Sequence, residues 1–269
     1  MPFPKIDPIA FSLGPLVVRW YALAYLAGVA LGLGYGILLL RRKNLWAGDK
    51  PPFTDSEWLD FAFWAVIGIV VGGRTGYVLF YNLPYYASNP LEALRLWDGG
   101  MSFHGGLIGL VTAMFFYARS KNADALSALD LLATAAPFGL LLGRIANFIN
   151  GELYGRPTDL PWGIVFPGGG DIPRHPSQLY EGLLEGLVLF VVLRFVTHVF
   201  FGLKRPGLVA GVFGIGYALS RIAVEQVRLP DPQIGYLFGG WLTLGMVLTL
   251  PVLLAGIALV IHAMGKRNA

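Results

Sequence analysis

Residues 131–155 read LLATAAPFGLLLGRIANFINGELYG, and this stretch decides what kind of fold the chain can adopt. Its first twelve residues carry no charge, whereas its second half contains an arginine, two asparagines and a glutamate. A helix needs about 20 predominantly apolar residues to cross a bilayer. The stretch therefore predicts a membrane span that ends in polar groups, and such groups at membrane depth mark a functional site by default.

The composition of the whole chain supports a membrane protein. Of 269 residues, 55% are hydrophobic and only 13% are charged, whereas soluble domains carry about 25% charged residues. The 36 glycines suit close packing of membrane helices, as in GVALGLGYG, where glycines at 28, 32 and 36 form a packing ridge. The absence of cysteine excludes disulfides and thiolate ligands. We predict an all-α polytopic membrane protein.

Seven apolar runs are long enough to cross a membrane. We predict spans near residues 18–40, 58–81, 101–118, 126–149, 178–200, 207–228 and 235–263. We expect these seven transmembrane helices to form a single integral membrane domain that covers residues 1–269.

The distribution of basic residues predicts the orientation of the spans. Eleven lysines and arginines fall on one side of the membrane, including Lys266 and Arg267, against six on the other. The positive-inside bias places the amino terminus outside and the carboxyl terminus in the cytoplasm. The long segments 82–100 and 151–177 are then periplasmic.

The outer segments predict a small periplasmic subdomain with short strands. The stretch NPLEALRLW in the first segment is amphipathic and is expected to lie flat on the membrane surface. WGIVF in the second is a predicted strand, and the residues around LGP near the amino terminus predict a short hairpin.

Polar side chains at the end of the fourth span lie on one helical face. Arg144, Asn147 and Asn150 are spaced three residues apart, and Glu152 follows. One interpretation is that Arg144 extends to the outer headgroups. That explanation accounts for one long side chain but not for a set of donors and acceptors, so a binding site is the alternative.

Two further ionisable groups lie in the sixth span. Arg221 and Glu225 are four residues apart and can pair on one face, and Tyr217 extends the same stripe by one turn. The pair is either an internal salt bridge between helices or part of a site.

Single polar residues in other spans leave two interpretations open. His104 begins an apolar helix on the outer side, as a structural cap or as a group that accepts a proton near neutral pH. Arg74 suits pairing with a carboxylate as well as a site role, and Tyr25 lies in the outer half of the first span.

These residues predict an outward-facing chamber. The side chains that we expect to meet there come from the third, fourth and sixth spans: His104, Arg144, Asn147, Arg221 and Glu225. Two arginines from different helices suit a phosphate, which accepts bidentate guanidinium bonds. No Asp, His or Cys cluster has the spacing of a metal site. A phosphate site without a metal inside a membrane indicates a phospholipid headgroup.

The stretch GRIANFINGELYG resembles the signature of bacterial phosphatidylglycerol–prolipoprotein diacylglyceryl transferases. The matching positions are Gly143, Arg144, Ala146, Asn147, Phe148, Asn150, Glu152 and Gly155. Further matching stretches cover nearly the whole chain: FSLGPLVVRWYALAYLAG, GGRTGYVLFYN, MSFHGG, HPSQLYEGLLEG and YALSRIAVEQVRLPD. One departure concerns the last span, which in this family often carries a Gly-Gln pair. Here Met246 follows Gly245, so a polar contact from that span is unsupported.

The resemblance implies a multi-pass enzyme of the bacterial inner membrane with its active site toward the periplasm. It implies transfer of the diacylglyceryl group of phosphatidylglycerol to the lipobox cysteine of a prolipoprotein signal peptide, with release of glycerol-1-phosphate. We expect neither cofactor, metal nor nucleic acid. The residues expected to act in the reaction are His104 as base, Arg144 and Arg221 on the phosphate, and Glu225 beside Arg221. The residues expected to bind substrate are Arg144, Asn147, Asn150, Tyr25, Tyr217, Glu152 and Gly155.

Two other functions use similar residues. A non-enzymatic phospholipid or ion transporter predicts polar groups that continue to the cytoplasmic side, where LGYGILLL and GLVLFVVL are almost wholly apolar. A CDP-alcohol phosphotransferase needs an Asp-rich metal motif, which the sequence lacks.

Overall fold

The computed structural model describes residues 1–4, 6–229, 235–238 and 242–265. The basic residues Lys5, Lys266 and Arg267, positions 230–231 of YALSRIAVEQVRLPD, and positions 239–241 of the predicted seventh span lie outside these ranges. The chain divides into two compact units, Met1–Gly36 with Asp130–Ala269, and Ile37–Leu129. The single-domain organisation stays a prediction.

Five helices match predicted spans in length and composition. They are α1 (Trp20–Leu40), α2 (Asp55–Phe80), α5 (Ala125–Ile149), α8 (Leu208–Glu225) and α9 (Leu244–Gly265). Only 17% to 50% of their apolar windows is buried within the protein, so much of their apolar surface faces outward, as lipid-facing helices require. These features fit a multi-pass membrane protein.

The remaining two predicted spans form helices that are shorter or more polar. Helix α4 (Phe103–Ser120) is 18 residues long and carries His104 and Arg119 near its ends. The chain from 177 to 198 consists of α6 (Ser177–Glu181), a π-helical stretch (Gly182–Val188) and α7 (Leu189–His198). The count of seven spans therefore stays a prediction.

Short strands and turns connect the helices. The predicted hairpin is confirmed: β1 (Ile9–Leu13) pairs antiparallel with β2 (Leu16–Arg19). A second pair joins β3 (Tyr236–Phe238) to β4 (Leu242–Thr243). The predicted strand at WGIVF is not a regular strand, since Ile164 and Val165 each form an isolated β-bridge.

Segment 82–100 contains a short helix α3 (Leu83–Ser88) and two 3-10 turns, Pro90–Leu94 and Leu96–Asp98. Its position flat on the membrane surface stays a prediction. Pro90 starts a new turn because its ring cannot continue a preceding helix. Exposed apolar side chains remain on this segment, notably Leu91, at 78% exposed, and Trp97, at 77%.

Glycines set the distance between helices in both units. In Met1–Gly36 with Asp130–Ala269, a Cβ at Gly28 would lie 3.1 Å from the Cα of Gly139, as the predicted packing ridge of α1 requires. In Ile37–Leu129, helices α2 and α4 cross even more closely. A Cβ at Gly72 or Gly109 would collide with the backbone of the facing helix.

The crossing of α2 and α4 generates a stability prediction. Gly109→Ala places a methyl group against the Gly68 backbone and is expected to cost about 1–3 kcal/mol through overpacking. Gly106→Ala on the same helix is the matched control, because its Cβ would meet only ordinary contacts at 3.5 Å and beyond. Thermal unfolding of the purified protein in detergent should show a lower Tm for the first variant only. Equal Tm values would disprove the close crossing.

Candidate active site

The polar stripe of α5 is positioned by the way that helix ends. Gly151 has φ +67°, a left-handed conformation that glycine adopts without strain. The Gly151 N–H donates to the Phe148 carbonyl at 2.9 Å, and the Glu152 N–H donates to the Asn147 carbonyl at 3.1 Å. This is the Schellman arrangement. The chain reverses there, and the Glu152 side chain returns to the end of α5.

Glu152 connects the asparagines of the stripe. Asn147 Nδ2 donates to Glu152 Oε1 at 2.8 Å, and Asn150 Nδ2 approaches the same oxygen at 3.4 Å. Gln178 Nε2 donates to the Glu152 backbone carbonyl. The structure therefore places these predicted site residues together, with the buried Asn147 toward the protein interior.

The 177–198 helix contributes two carboxylates that the sequence analysis did not single out. Glu181 and Glu185 are 1% and 0% exposed, and the π-helical stretch Gly182–Val188 contains the second. Such π-helical segments occur frequently at functional sites. The helix lies very close to α5, since a Cβ at Gly186 would sit 2.6 Å from Leu141 Cβ. Both carboxylates are thereby brought to the polar end of α5.

Glu181 is shared by three arginines. Its Oε2 lies 2.7 Å from Arg144 Nε on α5. Its Oε1 lies 2.7 Å from Arg221 Nη1 on α8 and 2.9 Å from Arg228 Nη1 just after α8. One carboxylate therefore pairs with guanidinium groups from α5, from α8 and from the chain just after α8.

Two further carboxylates, Glu225 and Glu185, each form an ion pair with one of these arginines. Arg221 Nη2 lies 3.1 Å from Glu225 Oε2, which is the i,i+4 pair expected from the sequence. Arg144 Nη2 lies 3.6 Å from Glu185 Oε2. The Arg221–Glu225 pair thus forms within α8 and not between helices. It belongs to a larger ionic cluster of Arg144, Arg221, Arg228, Glu181, Glu185 and Glu225, and a site role for the pair stays a prediction.

The ionic cluster is almost entirely removed from solvent. The arginine side chains are 13% to 16% exposed, and the three carboxylates 0% to 4%. Desolvating so many charges is costly unless every one is paired, and their mutual attraction is strong in a poorly screened interior. The balance of charge is therefore the dominant property of this site.

A polar contact does reach the cluster from the segment preceding α9. Thr243 Oγ1 donates to Glu225 Oε1 at 2.8 Å and accepts the Met246 N–H at 3.3 Å. Gly245 lies directly beside the Glu225 carboxylate, since a Cβ there would be 2.8 Å from Oε1. Met246 stands where the family often has glutamine, yet Thr243 provides a polar contact to Glu225 in this region.

The segment from 151 to 177 packs against the end of α8. The Gly155 N–H donates to the His175 carbonyl and the Arg156 N–H to the Val227 carbonyl, both at 2.8 Å. A Cβ at Gly155 would collide with Val227 O, so close approach requires glycine here. Burial, and secondarily the charge of Arg156, lower the pKa of His175 below its usual value.

Arg156 also supports the cluster through the backbone. Its Nε donates to the Arg228 carbonyl at 3.0 Å and its Nη2 to the Glu225 carbonyl at 3.3 Å. A cation suits the carboxyl end of a helix, where carbonyl groups lack intrahelical partners.

The two predicted tyrosines occupy different environments. Tyr25 is 53% exposed, and its hydroxyl lies 3.1 Å from that of Tyr21, which neighbours Asn147 and Glu152. Tyr25 therefore reaches the α5 stripe through Tyr21. Tyr217 is 5% exposed on α8, one turn before Arg221.

Arg74, in the unit Ile37–Leu129, has a structural role. All five of its N–H donors face backbone carbonyls at 2.5–3.2 Å. The acceptors are Glu92, Ala93, Arg95, Gly99 and Gly100. Arg74 thus anchors segment 90–100 through carbonyls and not through a carboxylate, and no donor is left for a phosphate.

His104 is the second residue of α4 in the same unit. The helix is capped by Ser102, whose Oγ accepts the Gly105 N–H at 3.2 Å. The capping role that was the alternative for His104 is therefore performed by Ser102. The role of His104 as a base stays a prediction.

Glu181 and Glu185 were not singled out as site residues, although the sequence contains a pattern that indicates them. HPSQLYEGLLEG places Glu181 and Glu185 four residues apart at the start of an apolar run, and intramembrane carboxylates are functional by default. Arg228 was counted only among the six basic residues of the outer side, at the end of the predicted span 207–228, and this position shows nothing about its partners. Among the described residues no group of His, Asp or Glu is arranged to hold a metal ion, and the absence of a cofactor stays a prediction.

Comparison with known proteins adds a family assignment. Residues 8–262 match the family model described as prolipoprotein diacylglyceryl transferase. A protein of Agrobacterium fabrum named phosphatidylglycerol–prolipoprotein diacylglyceryl transferase is 56% identical over 263 residues, which cover 98% of this chain and 94% of that protein. Proteins of the same name from Brucella canis and Brucella ovis are 56% identical over 255 residues, or 95% of this chain and 91% of theirs.

Proposed function

This chain belongs to the prolipoprotein diacylglyceryl transferase family, and we propose that it transfers the diacylglyceryl group of phosphatidylglycerol to the lipobox cysteine of prolipoproteins. The products are a thioether-linked prolipoprotein and glycerol-1-phosphate. The chain is accordingly a transmembrane transferase of lipoprotein biosynthesis. Its own residues then have to bind a lipid phosphate and to activate a thiol.

One observation carries the assignment of the phosphate site. Arg144 and Arg221 come from different helices, yet each lies 2.7 Å from the same carboxylate, Glu181. Arg144 lies at one oxygen of this carboxylate and Arg221 at the other. An anionic group whose oxygens pair with guanidinium groups from different helices is an arrangement that also suits a phosphate. The two ion pairs of Arg144 use Nε and Nη2. Nη1 takes part in neither pair and is the donor that we propose for a bound phosphate.

The transfer increases the negative charge on the phosphate. The cysteine sulfur attacks the glycerol carbon that bears the phosphate ester, a C–S bond forms and the C–O bond breaks. The bonding electron pair passes to the phosphate oxygen, so a diester monoanion becomes a monoester. Arg144 and Arg221 stabilise this developing charge in a poorly solvated site, where preorganised donors are most effective. Glu225 holds Arg221 in position through the 3.1 Å ion pair.

The thiol must lose its proton before or during the attack, because the thiolate is the nucleophile. His104 is the proposed base. Imidazole accepts a proton near neutral pH, whereas a thiol has a pKa of about 8.5.

The remaining predicted residues form the proposed binding surface for the lipid headgroup. Asn147 and Tyr25 bind headgroup or ester oxygens, with Asn150 on the same stripe. Tyr217 lines the site beside Arg221. Glu152 orients the asparagines, and Gly155 allows the outer segment to pack tightly.

We further propose a topology of seven spans with the amino terminus in the periplasm and the carboxyl terminus in the cytoplasm of the bacterial inner membrane. The excess of basic residues on one side supports it. Since the chain contains no cysteine, single cysteines report sidedness directly. In intact spheroplasts a membrane-impermeant maleimide should label Ser88→Cys but not Asn44→Cys. The reverse pattern would invert the orientation.

Mass spectrometry tests the reaction itself. Purified protein incubated with phosphatidylglycerol and a lipobox peptide should add the mass of one diacylglyceryl group to the peptide cysteine. The addition should stop when phosphatidylethanolamine replaces phosphatidylglycerol. Movement of intact lipid without peptide modification would instead favour a transporter of phospholipids.

The same assay tests the phosphate site. Arg144→Lys keeps the charge but loses the bidentate fork, so the transfer rate should fall about 10²–10³-fold, and Arg144→Ala should abolish transfer. Arg41→Lys is the matched control, because this arginine is 68% exposed in a surface ion pair and its replacement should leave the rate unchanged. Full activity of Arg144→Ala would refute the phosphate role.

The role of His104 is tested by the pH dependence of transfer. His104→Asn should lower kcat about 10²–10⁴-fold at pH 7, and part of the loss should disappear as the pH rises through the thiol pKa of about 8.5. Unchanged activity across this pH range would remove the assignment of the base and leave the family unaffected.

A further inference from the structure

Glu185 is the least satisfied charge of the ionic cluster. Neither of its carboxylate oxygens has a hydrogen-bond donor within the described residues, and its side chain is fully buried. Its one ion pair, to Arg144 Nη2, is long at 3.6 Å. Glu181, in contrast, has three short ion pairs, and Glu225 has Arg221 and the Thr243 hydroxyl.

Charged or titratable groups from the neighbouring elements surround Glu185. They are Arg144 on α5, Glu181 on its own helix, and Tyr217, Arg221 and Arg228 on and after α8. With Glu225, the cluster holds three guanidinium groups against three carboxylates. Arg156 and Glu152 of the adjoining segment add one positive and one negative charge, so the numbers of positive and negative groups stay equal. With all of its carboxylates ionised, the formal charges of the cluster therefore cancel before any lipid binds.

Binding of a lipid phosphate disturbs this balance. Phosphatidylglycerol brings one negative charge, and the monoester product carries more. An uncompensated charge is costly in a buried site, and a buried group commonly responds by changing its protonation. The phosphate also competes with Glu181 and Glu185 for the same guanidinium groups.

We propose that Glu185 takes up one proton from solvent when the lipid phosphate binds to Arg144 and Arg221. Glu185 is then a positioning residue: it does not touch the substrate, but as a neutral acid it releases Arg144 to the phosphate. The step converts a carboxylate and a proton into a carboxylic acid, with no change in the bonds of the lipid. This inference rests on the proposed function, because it requires an anionic phosphate at the arginine pair.

Isothermal titration calorimetry measures the proton directly. Dihexanoyl-phosphatidylglycerol is titrated into the full-length protein in detergent, at one pH near neutrality, in two buffers of different ionisation enthalpy. The wild type should take up about one proton per lipid bound, and Glu185→Gln should take up none while still binding the lipid. Glu185→Asp should restore uptake, because it restores a titratable group.

Glu92→Gln is the matched control, since this partly exposed carboxylate belongs to a surface ion pair in the other unit and should leave the uptake at the wild-type value. Equal uptake by the wild type and Glu185→Gln would assign the proton to another group. No uptake by the wild type would remove the charge-balance argument altogether.

A measurement on the wild type alone keeps the inference testable if Glu185→Gln does not fold. The affinity for the short-chain lipid should weaken with rising pH, up to about tenfold per pH unit where one proton is taken up. An affinity independent of pH from 6 to 9 would overturn the inference. If transfer is observed without proton uptake, the inference fails and the proposed function stands. If neither transfer nor lipid binding is observed, the proposed function itself fails.

Discussion

The pairing of buried charge at Glu181 is the constraint on which the site depends. A carboxylate that is 1% exposed is stable only with partners close enough to offset its loss of hydration. Arg144, Arg221 and Arg228 meet this requirement from α5, α8 and the chain that follows α8. Because each arginine needs the same carboxylate, the rotations of these helices about their axes are set together.

The opposite end of the same helices is tied by another carboxylate. Asp130, near the start of α5, is fully buried. Its two oxygens accept the Gly207 N–H at 2.8 Å and the Ala210 N–H at 2.7 Å, which satisfies donors at the start of α8 that have no intrahelical partner. With Glu181 near one end and Asp130 near the other, α5 and α8 are held in axial register. Arg144 and Arg221 thereby reach the same level.

Much of this arrangement was predictable because its causes are local. The periodic apolar runs predicted the five long helices, and the spacing of Arg221 and Glu225 predicted their pair. The carboxylates of the 177–198 helix were overlooked because a hydropathy pattern registers length and not partners. The same limitation explains Arg74, whose five acceptors lie 18 to 26 residues away. Backbone carbonyls as partners leave no trace in the sequence.

The sequence by itself determined the apolar helices, the hairpin of β1 and β2, and the family of the protein. Each of these depends on residues close together in the chain or on a continuous motif. Only the tertiary structure decided that Arg144 and Arg221 share Glu181, and that Thr243 reaches Glu225. Contacts between helices depend on their rotation and register, which follow from the close approach of Gly186 to α5 and from the pairing of all the buried charges at once.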